Sequence, residues 1–172
     1  GFLQEIIKSL NNSGVQKVST AKKLKLIHDY VVKTYSYRNN SHILSAAATN
    51  ETRSVGYLMT HKEGCCESYA KMIKILCDYY QIPCVTVYSL THMWNQVKIE
   101  NQWYLLDATW DDEEPVVYTY FLKGAKSVID EHHIVTSMFF SDCQGNGIKD
   151  YANYSLPTLS KEDYVEPVNP TP

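Results

Sequence analysis

The stretch HKEGCCESYAKMIKILCDYYQIPC, residues His61 to Cys84, decides how this chain folds. Tyr69, Ile73, Leu76, Cys77 and Tyr80 recur at helical spacing, and Glu67, Lys71, Lys74 and Asp78 make the opposite polar face with two favourable i,i+4 pairs. The pattern predicts a strong helix that Pro83 brings to a stop. On its wheel Cys66 shares the buried side with Ala70, Ile73 and Cys77, while Cys65 precedes the helix proper. Cys66 therefore reads as a thiol at a helix N-terminus that points into the body of the protein.

Upstream, Thr20 can cap a second helix through AKKLKLIHDYVVKTY, with Leu24, Ile27, Val31 and Val32 as its apolar stripe. The segment SYRNNSHILSAAATNETRS has turn formers without steady periodicity and reads as a long loop of the kind found at binding sites. Downstream, PCVTVYS, HMWNQVKI and QWYLLDATW read as strands, the last two joined at Glu100 and Asn101, and TYFL suggests another. A two-residue hairpin there makes paired positions sum to 201, so 94 faces 107 and 92 faces 109. His92 and Asp107 become diagonal neighbours on one side of the ribbon, roughly 7–8 Å apart between backbones.

A His beside an Asp on a sheet, packed on a helix that opens with a cysteine, is what nucleophilic thiol chemistry requires. The helix dipole and an imidazolium lower the thiol pKa, the carboxylate orients the imidazole, and backbone N–H groups at the helix start can hold an oxyanion. Taken singly, each residue has a plainer reading. Cys66 could be a small core residue, His92 a satisfied polar group and Asp107 a turn cap. A zinc site from Cys65, Cys66, Cys77 and His92 lacks the ligand pairs two to four residues apart that zinc favours. Trp94, Trp103 and Trp110 belong to the core or to the rim of a cleft.

The whole composition fits an ordinary soluble globular protein and removes several other classes. The 172 residues are 44% hydrophobic and 20% charged, suited to one domain over residues 1–165 with a Pro-rich tail or linker over 166–172. Sixteen Lys and Arg, scattered among nineteen Asp and Glu, argue against nucleic-acid or anionic-membrane binding. No run approaches a membrane span, and GFLQEIIKSL lacks the layout of a signal peptide. The cysteines, Cys65, Cys66, Cys77, Cys84 and Cys143, are odd in number and too sparse for a disulfide scaffold.

Three spaced motifs in order, GCCESYA opening a helix, HMWNQV on a strand and QWYLLDATWDD on the next, resemble the core of the transglutaminase-like superfamily. LIHDYVVKTYSY, YTYFLKG, His132 and SLPTLSKEDY extend the likeness to bacterial, often surface-associated, members over roughly residues 20–165. The resemblance implies a papain-like α+β fold, with the nucleophile at the N-terminus of a central helix packed on an antiparallel sheet. It assigns Cys66 as nucleophile, His92 as general base and acid, and Asp107 as orienter. The implied chemistry is thiol attack on a carboxamide, often of a protein glutamine, with release of ammonia and transfer of the acyl group to an amine or to water. Cysteine proteolysis by the same triad and a catalytically silent surface module are the alternatives. Neither a metal nor a cofactor is expected, because the calcium loops of animal members have no counterpart here. A secreted or cell-surface location is expected by the same likeness. Cys65, Ser68 and Met93 depart from the residues more usual at their positions. Tyr57 and His61 are candidates for a second oxyanion donor and, with Trp94 and Trp110, for the substrate cleft.

Overall fold

The computed structural model describes residues 1–38, 50–89, 91–128, 133, 137–139 and 156–168. In chain order the elements are α1 (Phe2–Asn12), a short 3-10 turn (Val15–Lys17), α2 (Thr20–Thr34), β1 (Ser36–Tyr37), α3 (Val55–His61), β2 (Glu63–Gly64) and α4 (Cys66–Tyr79). There follow β3 (Cys84–Tyr88), β4 (Met93–Ile99), β5 (Gln102–Leu106), β6 (Phe121–Lys123) and β7 (Ser137–Phe139). Strands β6-β5-β4-β3-β7 form one antiparallel sheet, and β1 and β2 pair in parallel just ahead of α4. Cys143, His132 and much of the 36–54 loop segment lie outside the described residues.

The expected central helix is present, but its ends are built differently from the sequence reading. It stops at Tyr79 because Gln81 turns left-handed at φ 59, with Gln81 N–H bonded to Asp78 O and Ile82 N–H to Cys77 O. That pair of bonds satisfies the last carbonyls before Pro83 is reached. In α2 the cap is Ser19 rather than Thr20: the Ser19 hydroxyl accepts the Lys22 N–H, and Thr20 is the first helical residue. Both favourable ion pairs on the outer face of α4 form, Lys71 to Glu67 at 2.8 Å and Lys74 to Asp78 at 2.6 Å. They are worth about 0.3–0.5 kcal/mol each, so burial and not charge holds the helix.

One core joins α1, α2 and α4 to the sheet, through Ile6, Leu10, Leu24, Ile27, Val31, Tyr69, Met72, Ile73 and Leu76 against Val97, Ile99 and Leu106. The opposite sheet face buries Val85, Val87, Trp94 and Leu105 beneath Trp103, Tyr120, Val128 and Leu159. Strand residues alternate between the two faces as the pleat demands. The C-terminal segment returns to the sheet edge, where Ser160 N–H bonds Trp103 O at 2.8 Å and Tyr164 N–H bonds Leu122 O at 3.0 Å. No helix among the described residues is long and apolar enough to cross a membrane.

The β4–β5 hairpin fixes what comes next. Asn95 pairs with Leu106 and Ile99 with Gln102, so the register sums to 201 and the loop is Glu100 and Asn101, with Glu100 at φ 56. Asn95 itself faces α4: its Nδ2 donates to Ala70 O at 3.0 Å and to Val85 O at 3.4 Å, and it is 1% exposed. This amide ties sheet to helix at the level of the site. Asn95→Leu removes those bonds while keeping the volume, and the expected cost is about 1–3 kcal/mol. A thermal melt should show a lowered Tm by about 2–4 °C for each kcal/mol lost.

Candidate active site

Residues Gly64 to Ser68 fold as one unit around the start of α4. Cys65 is the extended N-cap, and its sulfur accepts the Ser68 N–H. The Ser68 hydroxyl accepts the Cys65 N–H and donates to Cys65 O, both at 3.0 Å. Ser68 is wholly buried, and a Cβ on Gly64 would come within 2.2 Å of its hydroxyl oxygen. Ser68 thus closes the cap from the N3 position, in space that the lack of a side chain at Gly64 leaves open. Cys66, the first helical residue, is half-buried, whereas Cys65 is the more deeply covered of the two.

The adjacent thiols titrate together. The hydrogen bond between their side chains, aided by the Ser68 and Glu67 backbone N–H groups, outweighs burial and pulls Cys65 down to about 6. The same bond, then burial, pushes Cys66 up, against an opposing bond from the Met93 backbone. Each thiol is the first cause of the other's shift, so the two sulfurs at this helix N-terminus do not ionise independently. The Met93 contact also brings the strand segment that follows His92 up to the Cys66 sulfur.

His92 and Asp107 flank the ends of β4 and β5, and the His92 Nε2–H donates to Asp107 Oδ2 at 2.5 Å. The diagonal relation expected from the hairpin register is the one observed. Asp107 Oδ1 accepts the Trp110 N–H at 3.1 Å. Burial alone would raise its pKa, but bonds from His133 and His92 outweigh it and hold the carboxyl below its ordinary 3.8. The imidazole of His92 lies between two indoles, with ring centroids 5.6 Å from Trp94 and 5.3 Å from Trp110. Trp94 is a buried floor, 1% exposed, and Trp110 is half-buried at the side.

Tyr57 and His61 sit elsewhere. On α3 they stack on each other at 4.0 Å, Tyr57 Oη bonds Arg38 and Glu63, and His61 bonds Thr60. Their contacts among the described residues include none with Cys66, His92 or Asp107.

His133 was not singled out from sequence, where the neighbouring His132 drew notice. Its Nε2–H donates to Asp107 Oδ2 at 2.7 Å. His92, Asp107 and His133 could supply three metal-ligand atoms, all within 4.8 Å of one another. Ligands around a tetrahedral ion at about 2.0–2.1 Å stand roughly 3.3 Å apart. The 2.5 and 2.7 Å separations here are instead those of hydrogen bonds.

Behind the site, buried His28 bonds Asp111 Oδ2 at 2.9 Å and Asp29 Oδ1 at 3.0 Å, and Asp111 Oδ1 accepts the Tyr120 N–H. This fixes the turn that follows Asp107 to α2. Burial opposes charge on His28, but its bonds to Asp111 and Asp29 outweigh that and raise its pKa above 6.5. A raised histidine stabilises the fold fully below its ordinary value and loses that contribution as pH rises through the folded value. Burial likewise raises Asp111 above its ordinary 3.8, so it too favours the fold at the lower end. Tm should therefore decline as pH rises through and beyond neutrality. The slope should flatten in His28→Gln, measured by melts across that range.

A helix that begins at a cysteine, packed on an antiparallel sheet bearing a His–Asp pair, defines the papain-like α+β class. The model of the transglutaminase-like superfamily matches residues 8–108, more than half of the 172-residue chain, and the chain belongs to that superfamily. Among solved structures it is similar to a TGase crystal structure, with TM-score 0.54 and 14% identity over 63% of this chain and 30% of that one. It is also similar to a candidate cysteine protease from Cytophaga hutchinsonii, with TM-score 0.44 and 21% identity over 61% of this chain and 37% of that one. The chain therefore spans about a third of the length of these two proteins, and the likeness to the first is one of fold. No curated protein matches it.

Proposed function

We propose that this domain is a thiol acyltransferase that acts on the carboxamide of a protein glutamine through a Cys66 thioester. The observation that carries the reading is the His92–Asp107 pair, bonded at 2.5 Å, with Cys66 at the start of α4 bonded to the Met93 backbone and close enough to feel the Asp107 charge. His92 Nε2 is committed to Asp107, which leaves Nδ1 to take the Cys66 proton. The thiolate attacks the carboxamide carbon, and the oxyanion forms at the N-terminus of α4 beside the backbone N–H of Cys66. The imidazolium returns its proton to nitrogen, the C–N bond breaks, and ammonia leaves a thioester on Cys66. An amine or water then attacks the thioester carbon while His92 accepts its proton, and the sulfur departs as the thiolate.

The substrate is a protein or peptide carrying glutamine, and the acceptor is a primary amine or water. Transfer to an amine crosslinks, transfer to water deamidates, and the same triad turned on a backbone amide would cleave. Mass spectrometry of a glutamine-bearing protein incubated with the domain and a primary amine separates these outcomes. The expected products carry the amine in place of ammonia, or one deamidation where no amine is supplied. Cleaved chains with glutamine side chains untouched would replace this reading with proteolysis.

A further inference from the structure

We propose that His133 is a positioning residue of the site, holding Asp107 through a second imidazole N–H bond to the same oxygen that binds His92. The inference rests on the triad reading above and adds to it a residue that this reading does not require.

Asp107 Oδ2 accepts two imidazole donors, His92 at 2.5 Å and His133 at 2.7 Å, and Oδ1 accepts the Trp110 N–H. The Asp107 side chain is 1% exposed, so these bonds take the place of water. His133 is itself fixed by rings. It stacks on Tyr120 with centroids 5.0 Å apart and meets Trp94 and Trp110 edge-on at 4.8 and 4.7 Å. An aromatic box of this kind could be filled by a phenyl ring. To such a box the imidazole adds an N–H spent on a carboxylate that already has a partner.

That extra bond has two consequences. The carboxylate keeps its Oδ2 toward His92 with a second donor on that oxygen, in addition to the Trp110 N–H that holds Oδ1. The charge on Oδ2 is also divided between two donors, so Asp107 stabilises an imidazolium on His92 less than an undivided carboxylate would. His92 then gives up its proton more readily to the departing nitrogen. The titratable groups facing this pair are Cys66 with Cys65, Tyr37, and Asp111 with its partner His28. None of them is a donor to Oδ2 among the described residues.

The test reads the imidazoles directly. In a Cys66→Ala background, NMR titration should show the His92 pKa higher by about half to one unit when His133 becomes Phe. His133→Gln, which keeps an N–H donor, should recover part of that shift. In the enzyme with Cys66 intact, His133→Phe should lower kcat by about 10–100-fold with KM within about twofold. An unchanged His92 pKa, with activity lost only in step with Tm, would leave His133 a packing residue. Without any variant at this position, two imidazole Nε2–H resonances should be protected from exchange and both should vanish in Asp107→Asn. A single such resonance overturns the proposal. Since the titration needs no nucleophile, it can fail while Cys66 chemistry stands, and it can succeed where no transferase activity is found.

Discussion

Cys66→Ala is expected to lower amine incorporation into a glutamine-bearing protein by roughly 10⁵–10⁶-fold, to the background of the uncatalysed reaction. In the proposed mechanism the thioester forms on that sulfur, and no other group on α4 replaces it in the sequence of bond changes. Cys65→Ala is expected to keep activity within about tenfold, at a cost of about 1 kcal/mol for the lost helix cap. The neighbouring sulfur is the first cause of the raised Cys66 pKa, so its removal should ease ionisation of Cys66. Steady-state rates of the two variants, with Tm measured alongside, check both statements. A Cys65→Ala protein as inactive as Cys66→Ala would reverse the roles of the pair.

Asp107→Asn is expected to reduce kcat by about 10³–10⁴-fold while KM changes little. Asp107 is buried at the ends of β4 and β5 and reaches the reacting atoms only through His92. An amide offers an N–H where His92 needs an acceptor, so the imidazole is lost in its required tautomer and its charge goes unstabilised. The same substitution should change acid stability. A carboxyl held below its ordinary 3.8 contributes stability above that value and loses it as pH falls through the folded value. Asp107→Asn should therefore show a shallower fall in Tm between about pH 5 and 2 than the parent protein.

Much of the site was legible because it rests on two short-range regularities. Helical spacing in α4 places Cys66 at its start, and a two-residue hairpin brings His92 beside Asp107 whatever the rest of the chain does. The hairpin register is set by the pleat, which makes a slip of one residue costly over the whole ribbon. Helix ends were less legible, because Ser19 and Thr20 are both competent caps and Gln81 adopts a left-handed turn that glycine would have advertised. The role of Ser68 depends on the space left by Gly64 and by nothing in its own neighbourhood of sequence. Asn95 stood in full view in HMWNQV, yet its bond to Ala70 O requires knowing that β4 lies across α4. His133 illustrates the limit most clearly. Its partner Asp107 is 26 residues away, on a different element, and no periodicity connects them. The same holds for His28 and Asp111, 83 residues apart and joined only by the packing of α2 against the turn after β5.

Substrate identity has a different standing, since it depends on the surface around Cys66 more than on the triad. Met93, Glu67, Lys71, Lys74, Ile75, Thr86 and Val55 line a cavity of about 310 Å³ beside the first turns of α4. None of Cys66, His92 and Asp107 lines it, so it adjoins the site without containing the reacting groups.

The central claim, that Cys66 is a thiol activated by His92 and Asp107, is tested most directly by site-resolved alkylation with iodoacetamide near neutral pH. Mass spectrometry then reads the rate at each of Cys65, Cys66, Cys77 and Cys84. The account predicts that Cys66, half-buried where Cys65 is covered, is modified first despite the lower pKa of its neighbour, at least about tenfold faster than an ordinary exposed thiol, and that His92→Ala removes that advantage. Labelling of Cys65 ahead of Cys66, or a Cys66 rate indifferent to His92→Ala, would contradict it.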